Sequence, residues 1–412
     1  MIPSNPAPSG ASRAAFAFIF ITVLLDMMAV GVIVPVFPAL VVGFKSGDTA
    51  GGATIFGLFA TVWAVMQFFC SPILGSLSDR FGRRKVVLLS NFGLGLDYLL
   101  MAVAPSLAWL FVGRVISGIT SSSFGTAGAY VADVTPPEDR AKKFGMLGVA
   151  FGLGFILGPL VGALLGSVSV RAPFWGAAVL SLANAAYGFF ILPESLPIER
   201  RTPFNWRRAN PIGSLKLLRS HPRLPALGSA FFLSILAHDS MPITFVLYTS
   251  YRYNWDQKTI GLVLAMVGLL SIVVQGGLVG RIVAALGERR SLAIGLGAGA
   301  AGMVVYALAP TGWMFLLGVS MTALYGLSHP SLQSVMTRTV GHSQQGQLQG
   351  ANGSINGVAA IIAPLLFTQA FALAIGRFRA LHQPGAPFLV AAALLVAALY
   401  VAWRATGEAA GC

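Results

Sequence analysis

Twelve long apolar stretches, separated by short segments that hold nearly all the charge, leave this chain few ways to fold. They run over residues 14–40, 54–74, 86–104, 107–132, 141–166, 172–192, 223–249, 258–283, 290–309, 312–337, 346–375 and 386–404. Most reach or exceed the roughly 20 residues that a helix needs to cross the hydrocarbon layer. Gly and Pro inside them are ordinary for membrane helices. Composition agrees: 56% of residues are hydrophobic and 10% charged, where a soluble domain carries about a quarter charged residues. A disordered chain needs the reverse balance. The sequence therefore predicts an all-α integral membrane protein with twelve spanning helices. The first run is far longer than a signal-peptide core and no convincing cleavage site follows it, so it reads as a retained helix.

The charge is lopsided, with 27 Lys and Arg against 13 Asp and Glu. Such a balance can mark a nucleic-acid binder, but basic residues scattered through short loops between spanning helices do not build that surface. Placing the N-terminus in the cytoplasm puts 20 of the 27 on the cytoplasmic side, among them Arg83, Arg140, Arg207, Arg208, Arg223 and Arg404. Six fall opposite, and Arg114 falls inside a run. This asymmetry predicts that both termini are cytoplasmic. Cys70, in the second run, and the terminal Cys412 are not natural disulfide partners, and no metal or redox spacing is present.

The chain also repeats itself. Ala104-Pro105 followed by Trp109 returns as Ala309-Pro310 followed by Trp313. Gly82 with Arg83-Arg84 returns as Gly287 with Arg289-Arg290, and Pro159 returns as Pro364. A shared offset of about half the chain predicts two related six-helix halves, 1–192 and 223–412, joined by a Pro- and Arg-rich cytoplasmic linker, 193–222. Parallel six-helix repeats are a transporter plan, with a site between the halves near the bilayer midplane. No nucleotide-binding loop is present to drive it.

Specific motifs narrow the class. Gly75-Ser76-Leu77-Ser78-Asp79-Arg80-Phe81-Gly82-Arg83-Arg84-Lys85 resembles the loop 2–3 signature of the major facilitator superfamily. Gly145, Gly154, Gly158-Pro159 and Gly162 resemble the fifth-helix motif of its proton-driven exporters, although a second closing glycine is replaced by Ala163. Arg114, in Gly113-Arg114-Val115, resembles the fourth-helix arginine of the same exporters. Leu25-Asp26, Val34-Pro35, Leu96-Asp97-Tyr98, Ala132-Asp133, Gly287-Glu288-Arg289-Arg290 and Gly346-Gln347-Leu348-Gln349-Gly350 read like the tetracycline/proton antiporters. The resemblance covers most of the chain. It implies the twelve-helix major facilitator fold in a bacterial cytoplasmic membrane, a monomeric carrier with no organic cofactor, and a divalent metal only as part of a chelated substrate.

The same residues can be read physically. Asp79, Arg80, Arg83, Arg84, Asp133 and Arg140 sit at or near a glycine-bearing loop, where charges can lock and release a gate or merely set topology. Glycines three or four apart clear a helix face for close contact, and the resemblance makes them a fingerprint of export. Asp26, Asp97 and Asp239 are the acids that fall well inside apolar runs. A charged carboxylate in hydrocarbon is costly, so such a group takes a proton until water or a cation arrives. The resemblance makes Asp26 and Asp97 substrate- and proton-site residues with Arg114 as the positive partner of one of them; helix packing is the rival role for Asp97.

The second half departs from that pattern. The tetracycline exporters carry an acid in the ninth helix, and here the matching position is Gly299. Instead the seventh run carries His238-Asp239 and the tenth carries Tyr325 and His329. Asp239 is either the second-half acid or, with His238, a wet helix end. Gln67, Asn352 and Asn356 are further cavity candidates. The sequence thus predicts a proton-coupled exporter of a small amphipathic or cationic compound, tetracycline-like before others, with a proton-coupled uptake symporter and a non-transporting receptor as alternatives.

Overall fold

The computed structural model describes residues 9–121, 123–136, 139–204, 213–341 and 344–407; Arg207, Arg208, Cys412 and part of the 193–222 linker lie outside them. All twelve apolar runs are helical, and the described residues contain no strand. In chain order the helices are α1 (Ser9–Ile33), α2 (Phe37–Phe44), α3 (Thr49–Phe81), α4 (Arg83–Val103), α5 (Leu107–Thr120), α6 (Ser123–Val134), α7 (Arg140–Val168) and α8 (Ala172–Ile191). They continue with α9 (Leu224–His238), α10 (Ser240–Tyr253), α11 (Gln257–Val273), α12 (Val279–Leu308), α13 (Gly312–Ala323), α14 (Ser328–Thr339), α15 (Gln345–Ile375) and α16 (Ala386–Gly407).

Among the described residues, ten helical spans are long and apolar enough to cross a membrane. One of them, Gln257–Leu308, holds the eighth and ninth runs, and the backbone turns between them at Gly287, where φ is 76°. The tenth run is interrupted by a 3-10 turn at Leu324–Leu327 between α13 and α14.

The interruptions have covalent causes. Proline has no N–H to give the carbonyl four residues back, and its ring crowds that carbonyl. Pro35 deprives Gly31, and the chain leaves α1 in a tighter turn in which Val34 N–H bonds the Gly31 carbonyl at 3.2 Å. Pro242 deprives His238, at the junction where α9 gives way to α10. Pro330 deprives Gly326, inside the 3-10 turn. Pro72, Pro159 and Pro364 lie within continuous helices.

The chain packs as two units: residues 1–37 with 65–210, and residues 38–64 with 211–412. In the first unit α1 lies along α7 and α8, and α4 lies along α8. Its core includes Phe16, Ile19, Val23, Tyr130, Val131 and Leu147. The Asn184 amide ties α8 to α1 by donating to the Thr22 carbonyl at 2.9 Å. In the second unit α16 packs on both α9 and α12. An aromatic cluster closes one end of it: Tyr306 stacks on Phe315 at 4.3 Å, and the Tyr248 hydroxyl donates to the Tyr306 carbonyl at 2.8 Å.

The repeat is visible in the backbone. Gly82 and Gly287, equivalent by sequence, both hold positive φ, 103° and 76°. Such angles are readily adopted only by glycine.

Candidate coupling site

In the first unit the charged residues of the apolar runs converge. Asp97 on α4 is fully buried and Arg114 on α5 is 7% exposed. The two form an ion pair. Ser117, one turn beyond Arg114 on α5, also hydrogen-bonds the Asp97 carboxylate. The Arg114 guanidinium lies 5.0 Å from the centre of the Phe37 ring, and one of its nitrogens is 3.3 Å from the Met101 sulfur. Asp26 on α1 is 3% exposed. The buried Tyr98 phenol lies within electrostatic reach of Asp26, Asp97 and Arg114 together. A membrane-embedded charge is tolerated when it is paired and faces the protein interior; here two acids and one base share one neighbourhood.

The fifth-run glycines bring α7 against α1, the helix that carries Asp26. A Cβ on Gly158 would sit 2.7 Å from the Gly31 Cα and 2.8 Å from the Met28 carbonyl. One on Gly154 would strike Met27, and one on Gly162 would strike the Val32 carbonyl. Pro159 shares this contact, its Cδ lying 3.0 Å from where a Cβ on Gly31 would stand. Gly145, grouped with these by sequence, faces open space.

The loop 2–3 residues form a second charge network. Arg83 pairs with Asp79 at 2.5 Å and with Asp133 at 3.1 Å, and donates to the Ser78 hydroxyl at 2.6 Å. Arg84 instead reaches the Phe189 carbonyl, and Arg80 lies over the Phe81 ring. Arg140 bonds the carbonyls of Ala132 and Thr135 at 3.1 and 3.3 Å. The Gly75 carbonyl accepts from the Ser78 hydroxyl. Sequence reasoning overlooked Glu194, although it opens the linker in Pro193-Glu194-Ser195. One of its oxygens accepts backbone N–H groups from Arg83, Ser195 and Leu196 at 2.8, 3.1 and 3.1 Å. A carboxylate is thereby fixed at the N-terminus of α4, where the helix dipole favours negative charge. Gly82 has no room for a Cβ beside it.

In the second unit the His238 ring stacks on Tyr325 with centroids 4.6 Å apart and planes 11° apart. The Tyr325 hydroxyl bonds the Ser234 hydroxyl and carbonyl at 2.8 and 3.0 Å. His329 lies 5.3 Å from the Phe231 ring. Asp239 occupies the junction between α9 and α10. Gly299 stands beside this cluster: a Cβ there would be 3.2 Å from both the Tyr325 ring and Leu395. Tyr325 thus occupies the side of α12 that Gly299 leaves open. Ser234 went unnoticed in the sequence because a lone serine in an apolar helix carries no signal.

The remaining candidates scatter. The Gln67 amide donates to the Ser121 hydroxyl at 3.0 Å, joining α3 to the end of α5. Asn352 is buried and its amide has no hydrogen-bond partner among the described residues, while Asn356, four residues on, is exposed. The second-half counterpart of the Arg83 network is smaller: Glu288 pairs with Arg338 at 2.8 Å and accepts from Ser334 at 2.6 Å.

Twelve helical runs in two pseudo-repeats, with buried charges inside the spans, define a multi-pass membrane transporter rather than an enzyme. The family model for the Major Facilitator Superfamily matches residues 19–364, and the chain belongs to that family. It is 37% identical over 388 residues to the class C tetracycline resistance protein of Escherichia coli, covering 94% of this chain and 96% of that one. The class B protein of Escherichia coli is 35% identical over 344 residues, covering 84% and 85%. Among solved structures, the human organic anion transporter MFSD10 (TETRAN) matches with a TM-score of 0.70 at 25% identity, over 96% of this chain and all of that one. The nucleoside transporter NupG matches with a TM-score of 0.74 at 14% identity over 95% and 98%, a likeness of fold alone.

Proposed function

We propose that this transporter is a proton-coupled antiporter that exports a small amphipathic or cationic compound, tetracycline-like before others, by alternating access. The observation that carries the reading is the cluster of Asp26, Asp97, Arg114 and Tyr98, buried in a membrane-spanning unit. A carboxyl group that accepts either a proton or a cationic substrate exchanges one for the other. Arg114 holds Asp97 in place, and Asp26, on the helix that the α7 glycines grip, is the residue assigned to exchange. In the second unit Asp239, with His238 beside it in sequence and His329 within electrostatic reach of His238, supplies the titratable groups that Gly299 does not. The relatives named for tetracycline resistance support the substrate class. The working form is a monomer in a bacterial cytoplasmic membrane with both termini cytoplasmic, needing only protons and substrate, with any divalent metal arriving as part of a chelate.

The test is transport by the purified protein in proteoliposomes under an imposed pH gradient, over a drug panel that includes tetracycline. Wild type should move at least one compound against proton flow, and Asp26→Asn should abolish the coupling. No proton-linked movement of any compound would overturn the proposal.

A specific observation also favours a second substrate class. The ninth run holds no acid, the seventh and tenth runs each carry a histidine, His238 and His329, and MFSD10, at 25% identity, is named an organic anion transporter. An organic anion in place of a cation fits that balance, and anionic members of the same panel decide between them.

A further inference from the structure

A cavity of about 570 Å³ opens between the first turn of α9 and the last turns of α16, lined by Pro222, Arg223, Ala226, Tyr400, Val401, Arg404 and Ala405. We propose that it is a binding site for the headgroup of an anionic phospholipid. Its chemistry is split in the way a lipid requires. Arg223 and Arg404 contribute two guanidinium groups, and among the described residues no carboxylate lines the cavity. Ala226, Val401 and Ala405 supply an apolar wall. A phosphodiester takes paired N–H donors from arginine in a fixed fork geometry, which an ammonium does not offer. The N-terminal end of α9, a helix of 15 residues, adds its positive dipole end to the same space.

The level in the membrane fits as well. Both helices belong to apolar spans, Leu224–Tyr253 and Ala386–Gly407, and the cavity lies at the polar end of each. Tyr400 and Trp403 are exposed there, 56% and 47%, as aromatic residues at a membrane interface are. Arg404 lies over the Tyr400 ring at 4.7 Å, and Arg289 lies over Trp403 at 4.0 Å. Three arginines, Arg223, Arg289 and Arg404, thus gather at the end of α16. Basic pockets between membrane helices are the form in which proteins hold anionic headgroups, and the volume is within the usual range for a ligand site. The site lies between α9 and α16, so occupancy would tie the one to the other.

The experiment compares the full-length protein, R404Q, and R223Q/R404Q, with R377Q/R379Q as the control of equal charge. Each is purified and exchanged into nanodiscs of phosphatidylcholine with or without phosphatidylglycerol. Retained lipid is counted by native mass spectrometry, and thermal midpoints are recorded in both membranes. Wild type and the control should retain phosphatidylglycerol and gain several degrees from it. R223Q/R404Q should retain roughly tenfold less and lose the gain, with R404Q between them. Equal retention by wild type and the double variant would overturn the proposal, as would an equal gain from inorganic phosphate at millimolar concentration. R404Q keeps the test open if the double variant does not fold.

Discussion

His238 and Tyr325 meet face to face, 4.6 Å apart, where two interrupted helices of the second unit pass each other. His238 ends α9 at the carbonyl that Pro242 cannot satisfy, and Tyr325 lies in the 3-10 turn that Pro330 imposes. Discontinuous membrane helices are where transporters place their sites. Tyr325→Phe keeps the ring but loses the bonds to Ser234. It should slow transport several-fold, the worth of one net hydrogen bond. Tyr325→Ala removes the stack too and should slow it by well over tenfold. Gly299→Asp, which places an acid on the ninth run, should lower the thermal midpoint, because its Cβ would stand 3.2 Å from Tyr325. Combining it with Tyr325→Ala should relieve that clash. Proteoliposome rates and thermal midpoints check each point.

Why some of this was legible and some not has physical reasons. Run length and charge placement revealed the membrane helices, because hydrocarbon thickness imposes a length that hydropathy records directly. The half-chain offset foretold that Gly82 and Gly287 do the same job, and both hold positive φ. Pro35, Pro242 and Pro330 carry the same signal in the sequence as the prolines that do not break a helix. Their effect depends on whether the helix tightens locally or runs through, as it does at Pro159 and Pro364. Glu194 was hidden because the Arg83 N–H that it takes lies more than a hundred residues earlier in the chain, which no spacing reveals.

The grip of α7 on α1 depends on three glycines. Gly158→Ala places a methyl 2.7 Å from the Gly31 Cα, where backbone cannot yield cheaply. It should cost about 1–3 kcal/mol of stability, as overpacked contacts do. Gly162→Ala should be at least as severe. Gly152→Ala, with nothing within 4 Å, should be neutral or slightly stabilising because alanine is the better helix former. Thermal unfolding in detergent should separate the two groups, and transport should fall only in the first.

Glu194 links the loop 2–3 network to the start of the linker. Its carboxylate takes the N–H of Arg83, whose side chain pairs with Asp79 and Asp133. Glu194→Gln keeps an acceptor oxygen and loses the charge, so transport should fall only a few-fold. Glu194→Ala leaves the three N–H groups without it and should cut transport by more than tenfold, with faster proteolysis at the 193–202 segment. Equal behaviour of the two variants would argue that the residue is ornamental.

Asp256, just before α11, caps that helix by accepting the Thr259 N–H at 2.9 Å. Thr259 holds its carboxyl below the usual carboxylate range. A lowered folded value means the cap contributes fully above the ordinary range, near 4, and is lost as pH falls through the folded value. Asp256→Ala should cost about 1 kcal/mol at neutral pH. Asp256→Asn should retain most of the cap and remove this group's share of acid sensitivity. Thermal midpoints from pH 3 to 7 for the three proteins provide the comparison.

The Asp97–Arg114 pair allows the sharpest separation of structure from coupling. Arg114→Ala leaves a fully buried carboxylate without its guanidinium, which typically costs about 3–5 kcal/mol unless the carboxyl takes up a proton. Asp97→Asn leaves the guanidinium beside Phe37 and Met101 and should cost a comparable amount. Asp97→Asn with Arg114→Gln removes both charges together and should recover much of the lost stability, since a neutral hydrogen-bonded pair avoids the desolvation of two ions. If the pair served packing alone, transport would recover with the fold. The proposed coupling requires the opposite: a stable double variant that still binds substrate and has lost proton-driven accumulation. Measuring thermal midpoint, substrate binding and pH-driven transport on the same preparations distinguishes a packing role from a charge that the cycle uses.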